Sequence, residues 1–448
     1  MRWRNTLIAV LIFVGLLGYV HYFDNSEDNG SDRRLVGFSR EDVRSVTLVS
    51  AGETVEVTRR ETEDDYRITS PLVWPADRLS ASALFDAAAG IAAAKHFKEE
   101  PARLSEFELK PPLITVFIQA EAGEVRLEIG GKNPSGEMRY VRIPGDGLIH
   151  LVNTYKVKAF DKALLDLRKK DLFEEIKASE IMGLAIRRGA LHAPIRLSRE
   201  DSGWRIQEPF LDRADNGRIR SFLQALLGLQ AENFIDQPGP VLSRYGLAAP
   251  LLKVELDRKE GQSVATLSLG ATDDDTYFAA KDGMKTLFKI HRSVAADLMT
   301  MNLDILRDPL VIGLNTSDVQ KLDISFPDGS SYRVLKKQDG FWCTDPVGVT
   351  VESGGVAAFL KSIKQLKIEN FMDRAEFDGN FSRRGTRITL FVDTVSAACE
   401  MVFFPSPLKK EKYVVIVSDR AAPMVVSDDL AVAVKTFIEQ KPWDKQKE

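Results

Sequence analysis

The chain lacks most of the features that reveal a protein's chemistry directly. Its 448 residues include only two cysteines, Cys343 and Cys399, so no disulfide framework can hold the fold together. These two could form one bridge in an oxidising compartment, but we favour two small, buried strand residues. The 61 basic and 65 acidic residues give a net charge of −4. A nucleic-acid-binding protein needs a clear basic face, so we expect no nucleic-acid partner.

Motifs of common enzymes are also missing from the sequence. Histidine occurs at positions 21, 96, 150, 192 and 291. None of these has the spacing of a zinc site, and no GxSxG motif offers a nucleophilic serine. GGKN at residues 130–133 lacks two elements of a phosphate-binding loop and favours a hairpin turn, and the aspartates at 273–275 favour a solvated turn over a calcium loop. We therefore predict no catalytic, cofactor-binding or metal-binding residue, and no enzyme.

One long apolar run lies near the start of the sequence. Residues 6–23 carry no formal charge and, as a helix, would span about 27 Å, the short end of a bilayer core. No Ala-x-Ala-like site follows, which favours an uncleaved anchor over a signal peptide. A buried core helix is the other alternative, but the run is apolar on every face. Arg2 and Arg4 on the short side predict a single-pass protein of the cytoplasmic (inner) membrane, with its domains extracytoplasmic or periplasmic.

One pattern occurs three times behind this anchor. YRITSP at 66–71, WRIQEP at 204–209 and FWCTDP at 341–346 follow one another at intervals of about 137 residues, the size of a whole domain. No Pro/Gly/Ser-rich spacer separates the copies, so we expect stiff connections. The predicted organisation is an anchor (1–23), a flexible tether (24–34), repeat 1 (35–172), repeat 2 (173–309), a divergent repeat 3 (310–440) and a charged tail (441–448).

Within each copy the periodicity predicts an antiparallel sheet followed by helices, which is the α+β class. Apolar residues alternate in the opening strands, as at Val43, Val46 and Leu48, and then recur at helical spacing after the proline. Asp77 and Asp215 directly precede these helices. Paired carboxylates can do acid–base work, but these two lie in different copies, so we interpret them as helix N-caps. Further caps are predicted at Asn153, Ser293, Ser353 and Ser427, with Glu352 beside Ser353.

The repeated residues resemble a bacterial family described only as a domain of unknown function. The best match is in repeat 2, through Trp204, Ile206, Pro209, Ala214, Asp215, Tyr245, Gly246, Leu247 and Pro250. Repeat 1 has Phe107, Glu108 and Leu109 where Tyr-Gly-Leu would fall, and repeat 3 lacks the Ala-Asp pair. Members of this family are typically membrane-anchored and often encoded beside a gliding-motility-type ABC transporter and its extracytoplasmic partner. The resemblance implies no catalytic residue.

Two functions fit these observations best, and a third, an envelope hydrolase, would need Asp, Glu, His or Ser groups clustered in one cleft. The first is a non-catalytic, membrane-anchored extracytoplasmic protein, an accessory or scaffold subunit beside an ABC transporter permease and its extracytoplasmic partner. The second is an envelope protein that binds a polymer or glycan through Tyr66, Trp204 and Phe341. Aromatic side chains repeated within strands are more typical of core packing than of sugar stacking, so we favour the first.

Overall fold

The computed structural model describes most of the chain after the apolar run. It covers residues 33–60, 65–189, 192–239, 242–258, 262–273, 275–338, 340, 342–345, 350–351, 353–372, 385–393, 397–406, 412–426 and 434. The predicted anchor and charged tail lie outside these ranges, as do Phe341, Pro346, Glu352 and Ser427. In the described part, no helix has both the length and the apolar character needed to cross a bilayer. The chain divides into two compact units, one ending at Lys170 and the other beginning at Asp171.

The first unit contains one nine-stranded sheet and a two-stranded pair. Its strands are β1 (Arg33–Arg34), β2 (Val43–Ser50), β3 (Glu53–Arg59), β4 (Tyr66–Ser70), β5 (Trp74–Pro75), β6 (Ala92–Ala93), β7 (Lys95–Lys98), β8 (Ile114–Ala120), β9 (Gly123–Lys132), β10 (Met138–Arg142) and β11 (Leu148–Asn153). β1 pairs with β6, and the large sheet has the order β5-β4-β3-β2-β8-β9-β10-β11-β7, with every pair antiparallel.

The second unit contains two further nine-stranded antiparallel sheets. The second sheet consists of β12 (Gly183–Arg188), β13 (Ile195–Glu200), β14 (Gly203–Glu208), β15 (Asp212–Arg213), β16 (Asn233–Ile235), β17 (Leu252–Asp257), β18 (Ser263–Asp273), β19 (Thr276–Lys281) and β20 (Leu287–His291). The third consists of β21 (Lys321–Ser325), β22 (Ser331–Lys336), β23 (Trp342–Asp345), β24 (Thr350–Val351), β25 (Ile368–Phe371), β26 (Thr386–Phe391), β27 (Ala397–Pro405), β28 (Tyr413–Val417) and β29 (Met424–Val426).

The three nine-stranded sheets share one strand order. The second reads β15-β14-β13-β12-β17-β18-β19-β20-β16 and the third β24-β23-β22-β21-β26-β27-β28-β29-β25. In each, four strands form a meander, a helix then leads to the opposite edge strand, and four more strands fill the space between. Each sheet lies inside one of the predicted ranges 35–172, 173–309 and 310–440, whose exact boundaries stay a prediction.

Helices connect the strands in each sheet. The α-helices are α1 (Arg78–Gly90), α2 (Thr154–Val157), α3 (Leu164–Leu167), α4 (Asn216–Leu227), α5 (Arg292–Thr300), α6 (Leu303–Leu306) and α7 (Ser353–Gln365). Short 3-10 turns lie at Pro101–Arg103, Lys158–Asp161, Ala178–Glu180, Leu242–Tyr245 and Thr316–Asp318. The apolar residues at helical spacing are buried as predicted, for example Leu84, Ile219 and Ile363, each 0% exposed. They pack with the alternating strand residues, such as Val46, in the cores.

The predicted helix caps are partly correct. The Asp77 carboxylate accepts a hydrogen bond from the Ser80 amide at 2.8 Å, and Asp215 accepts from the Gly217 and Arg218 amides at 2.8 and 3.0 Å. Both aspartates are therefore N-caps, as predicted.

The other predicted caps differ. Asn153 precedes α2, but its side chain makes no capping hydrogen bond. Ser293 is wrong as a cap, because α5 begins earlier and His291 Nδ1 accepts from the Ser293 amide at 3.3 Å. Ser353 is itself the first residue of α7, which moves the capping position to residue 352, outside the described residues.

The predicted flexible tether (24–34) is wrong at its last two residues, Arg33 and Arg34. They form β1, paired with Ala93 and Ala92, instead of lying in a flexible segment. Polar composition argued against packing, but this strand leaves both arginine side chains exposed and uses only backbone hydrogen bonds. The predicted turn at 273–275 is partly correct: Asp275 lies in a turn before β19, whereas Asp273 is the last residue of β18, and residue 274 lies outside the described ranges.

The predicted hairpin turn at residues 130–133 is wrong for residues 130–132, and only Asn133, whose carbonyl accepts from the Gly136 amide at 2.9 Å, belongs to the turn before β10. Gly130 and Gly131 lie inside β9, and the loop at Phe107 crosses directly over them, with the Gly131 amide donating to the Phe107 carbonyl at 2.9 Å. A Cβ atom on Gly130 would overlap that carbonyl. Glycine is needed here because another backbone approaches closely, not because the chain reverses.

The same crossing occurs in the second sheet. A Cβ atom on Gly270 would overlap the Tyr245 carbonyl. The residue after each crossing carbonyl has a positive φ, 55° at Glu108 and 67° at Gly246. Glu108 therefore occupies the place of the glycine in Tyr-Gly-Leu, as the sequence comparison of the two copies predicts.

Replacing Gly130 with alanine tests this close approach. We expect Gly130→Ala to lower the free energy of unfolding by about 2 kcal/mol or more, because a backbone carbonyl must move to admit the methyl group. Gly90→Ala is the matched control, since no atom lies within 4 Å of its Cβ position, and it should be neutral or stabilise by up to about 1 kcal/mol. Urea denaturation followed by circular dichroism measures both. Equal effects would contradict the close approach.

Candidate functional site

Six charged residues of the second unit form a cluster where the second sheet meets the third. Three are aspartates and three are arginines, so their formal charges cancel. We name this cluster the arginine–aspartate network; its members are Asp212, Arg213, Arg307, Asp308, Asp419 and Arg420. Asp212 and Arg213 form the short edge strand β15, and Arg307 and Asp308 follow α6.

Asp212 is the centre of the network and is fully buried. One carboxylate oxygen, Oδ2, accepts a hydrogen bond from Arg307 Nε at 2.7 Å and lies 2.6 Å from Arg307 Nη2. The other, Oδ1, lies 2.7 Å from Arg420 Nε and accepts from the Arg213 amide at 2.9 Å. One carboxylate thus neutralises guanidinium groups from both sheets, and a buried pair of this kind is stable only when its remaining donors are also bonded.

The other donors of Arg213 and Arg420 bind the backbone between the two sheets. Arg213 Nη2 donates to the carbonyls of Leu310 and Val311 at 2.7 and 3.0 Å. Arg420 donates from Nη1 to the Leu310 carbonyl at 2.9 Å and from Nη2 to the Asp308 carbonyl at 3.0 Å. Two guanidinium groups therefore hold the single carbonyl of Leu310, and the connecting segment is fixed by charged donors from both sides.

Two aromatic rings enclose Arg307. Its guanidinium carbon lies 3.1 Å from the ring centroid of Phe371 and 4.9 Å from that of Phe210. A cation between aromatic faces is favourable when water is excluded, and Arg307 is only 5% exposed. Phe371 belongs to the third sheet, and Phe210 lies in the loop between β14 and β15 of the second, so this contact also joins the two sheets.

Burial shifts the ionisation of the network in the direction expected for desolvation. It lowers the pKa of Arg307 and lowers the pKa of Arg420 to about 10, with Asp212 opposing both shifts. Burial likewise raises the pKa of Asp308, against the hydrogen bond from the Leu310 amide and the charge of Arg213. Both arginines stay charged at neutral pH, so neither serves as a proton donor or acceptor.

A pocket of about 700 Å³ opens beside the network. Phe210, Phe371, Met372, Arg307 and Arg420 form part of its wall. The arginine groups in this wall are already bonded to Asp212 and to backbone carbonyls. Asp419 also lines the pocket, and its carboxylate accepts a hydrogen bond from Arg213 Nη1 at 3.1 Å. The described contacts of these charged groups therefore stabilise a junction.

The first unit has different side chains at the positions that match the network. Trp74 stands where the second sheet has Asp212, and the Arg168 guanidinium lies 4.3 Å from the Trp74 ring centroid. The Trp74 indole donates to the Lys169 carbonyl at 3.1 Å, as Arg420 donates to the carbonyl of Asp308. An uncharged aromatic residue thus replaces the buried carboxylate. Arg168 and Arg307 close the similar endings LDLR and LDILR, and this shared arginine is the sequence signal that could have indicated the network.

Sequence analysis predicted no metal-binding residue, and the strand pairing shows why spacing is an incomplete guide. His96 and His150 lie opposite each other on β7 and β11, with ring centroids 6.2 Å apart. His150 Nε2 lies 2.7 Å from an Asp146 carboxylate oxygen. Even so, in the described ranges no group of three or more His, Cys, Asp or Glu residues could hold a metal ion.

The aromatic residues considered for sugar stacking are buried where they are described. Tyr66 is 3% exposed, packs 4.9 Å from the Phe85 ring and accepts a hydrogen bond from Arg40 at 2.8 Å. Trp204 is 8% exposed. Phe341 lies outside the described residues, next to the buried Trp342. Tyr66 and Trp204 are therefore core residues, which removes most of the support for a glycan-binding groove.

Comparison with known proteins bears on the repeated pattern. The family model of a domain of unknown function, DUF4340, matches residues 67–241 and again residues 204–379. The chain belongs to this family. The two DUF4340 matches begin about 137 residues apart, at the equivalent strands β4 and β14, so at least two tandem copies are present. No curated protein and no solved structure matches the chain.

Asp212 offers the sharpest test of the network. We expect Asp212→Asn to lower the free energy of unfolding by about 3 kcal/mol or more, because Arg307 and Arg420 lose the carboxylate that neutralises them in a buried place. Glu369→Gln, which breaks a partly exposed pair with Lys412, should cost less than about 1 kcal/mol. Urea denaturation followed by fluorescence measures both variants. A loss at Asp212 as small as at Glu369 would contradict a central role.

Cys399 provides a pH-dependent test in the same region. Burial raises its pKa to about 12, so the folded protein holds the protonated thiol, and both cysteines are free and buried. At pH 8 we expect Ellman's reagent to react with the native protein at least about 100-fold more slowly than with the unfolded chain. The stability from the protonated thiol is present below the unfolded thiol pKa and is lost as the pH rises towards 12. Rapid labelling of native protein would contradict this burial.

Proposed function

We propose that the chain is a non-catalytic, membrane-anchored extracytoplasmic scaffold or accessory subunit of an ABC-transporter-type envelope complex. The observation that carries the proposal is the use of the arginine–aspartate network. Arg213 and Arg420 donate hydrogen bonds to the backbone of residues 308–311, so this cluster of charges serves to fix a junction. A fixed junction of this kind is what a scaffold requires.

Architecture supports the same proposal. We infer that all three nine-stranded sheets are copies of one domain, since they share one strand order and their opening strands bury residues at equivalent positions. Duplication suits an extended binding surface or a spacer better than a single active site. The apolar run at 6–23 and the family resemblance favour attachment to the cytoplasmic membrane, with the domains on its outer side.

Affinity purification of the full tagged chain from detergent-solubilised membranes tests the proposal. We expect the chain to stay in the membrane fraction after alkaline carbonate washing and to recover an ABC transporter permease or its extracytoplasmic partner. The control is a chain in which a cleavable signal peptide replaces residues 1–23, because it exports the same domains without the anchor. Release by carbonate would contradict the anchor. Repeated failure to recover any transporter subunit would contradict the assignment to such a complex.

A further inference from the structure

One exposed apolar surface of the first unit has no role in the fold described above. It comprises the exposed Leu79 and Ala83 on α1 together with Tyr155 on α2, and we name it the α1 outer face. Ala87 borders it and is half-buried against the core. Leu79 is 81% exposed and Tyr155 is 72% exposed. The three α1 residues are spaced four apart and share one side of the helix, whereas the opposite side buries Leu84 in the core.

The matching helix of the second sheet presents a different surface. Positions equivalent to Leu79 and Ala83 are Gly217 and Ser221 on α4, so the large apolar side chain is missing there. α4 also packs against the nine-residue helix α5, whereas α2 has four residues. Between α1 and α2 a groove of about 730 Å³ remains open in the described part of the first unit.

The chain enters the first unit next to the C-terminal end of α1, at the other end of the helix from Leu79. Arg33 and Arg34 pair with Ala93 and Ala92, just after α1, and the Leu35 amide donates to the Ile91 carbonyl at 2.9 Å. The Ala94 amide donates to the carbonyl of Leu151, in the strand that ends directly before α2. Arg33 follows the apolar run by ten residues, which span at most about 35 Å when extended.

The charges around the face favour an anionic surface. Arg33, Arg34 and Lys158 are exposed there. Of the acidic residues at the groove, Asp86 pairs with Arg40 at 2.7 Å and Asp161 with Arg139 at 2.6 Å, whereas the exposed Asp166 accepts a hydrogen bond from the Ala163 amide at 3.0 Å. Exposed apolar and aromatic side chains ringed by basic residues are typical of proteins that lie on a membrane surface.

We propose that the α1 outer face rests on the outer surface of the same bilayer that holds the anchor, with Leu79 and Tyr155 inserted among lipid headgroups. This inference depends on the anchor of the proposed function, but not on any transporter partner. The short tether keeps the face near the bilayer, so weak interfacial binding suffices to orient the first unit.

Fluorescence quenching by brominated lipid tests the position of the face. The full chain carrying Leu79→Cys is labelled with an environment-sensitive fluorophore and reconstituted into anionic vesicles. Because Cys343 and Cys399 are buried, the label goes to the introduced thiol. The control is Ser105→Cys, an exposed position in the loop whose Leu104 and Leu109 pack in a separate cluster from the core under α1. We expect at least about twofold greater quenching at position 79 than at position 105.

A charge variant sharpens the test. Lys158→Glu in the Leu79→Cys chain should reduce quenching in anionic vesicles, since the exposed side chain attracts the headgroups without supporting the fold. Equal quenching at positions 79 and 105 overturns the proposal. The proposal is also overturned if lipid does not change the fluorescence of a label at position 79 but the label becomes protected in a purified transporter complex. The face would then bind protein. Recovery of a transporter subunit is a separate measurement, so failure of the proposed function is distinguishable from failure of this inference.

Discussion

The second unit depends on a single carboxylate placed where water cannot reach it. Asp212 bonds Arg307 from its own sheet and Arg420 from the next, and each guanidinium then continues to an aromatic ring or to a backbone carbonyl. Buried ions of this kind add little stability over an apolar core of equal volume, but removing one partner is costly. The network is therefore best understood as a device that specifies one arrangement of the second and third sheets, and the scaffold role that we propose follows from that fixed arrangement.

Much of the fold could be predicted from the sequence because local patterns and tertiary burial agree. The alternation at Val43 and Val46 and the helical spacing around Leu84 correspond to buried positions, and Asp77 caps its helix as its place in the chain indicates. The edge strand β7 was harder, because KHFK lacks alternation and lies largely exposed. The sequence pattern wrongly places Gly130 in a turn, because the reason for the glycine, the crossing carbonyl of Phe107, lies far away in sequence.

Apart from the arginine shared by LDLR and LDILR, the network could not be predicted from one sequence. Arg307 lies 95 residues from Asp212, and Arg420 reaches the same carboxylate from the region of the third sheet. Spacing rules find residues that meet within one helix or loop, whereas these meet across a junction between sheets. The His96–His150 pair has the same origin, since antiparallel pairing of β7 and β11 brings together two residues that spacing rules treat as unrelated. Both examples show that, in a protein of several sheets, candidate functional residues have to be sought among the residues that strand pairing and contacts between sheets bring together.

The contrast between Trp74 and Asp212 also bears on how such chains evolve. Trp74 contacts Arg168 through an uncharged ring, at the position where the second sheet has a carboxylate. Asp212 forms a buried ion pair with Arg420, so loss of either residue leaves the charge of the other without this partner in the interior. The second and third sheets have therefore become a mutually dependent pair. Recombination that exchanged one of these sheets for the equivalent sheet of a related protein would give a stable fold only if the complementary charged residue were exchanged with it.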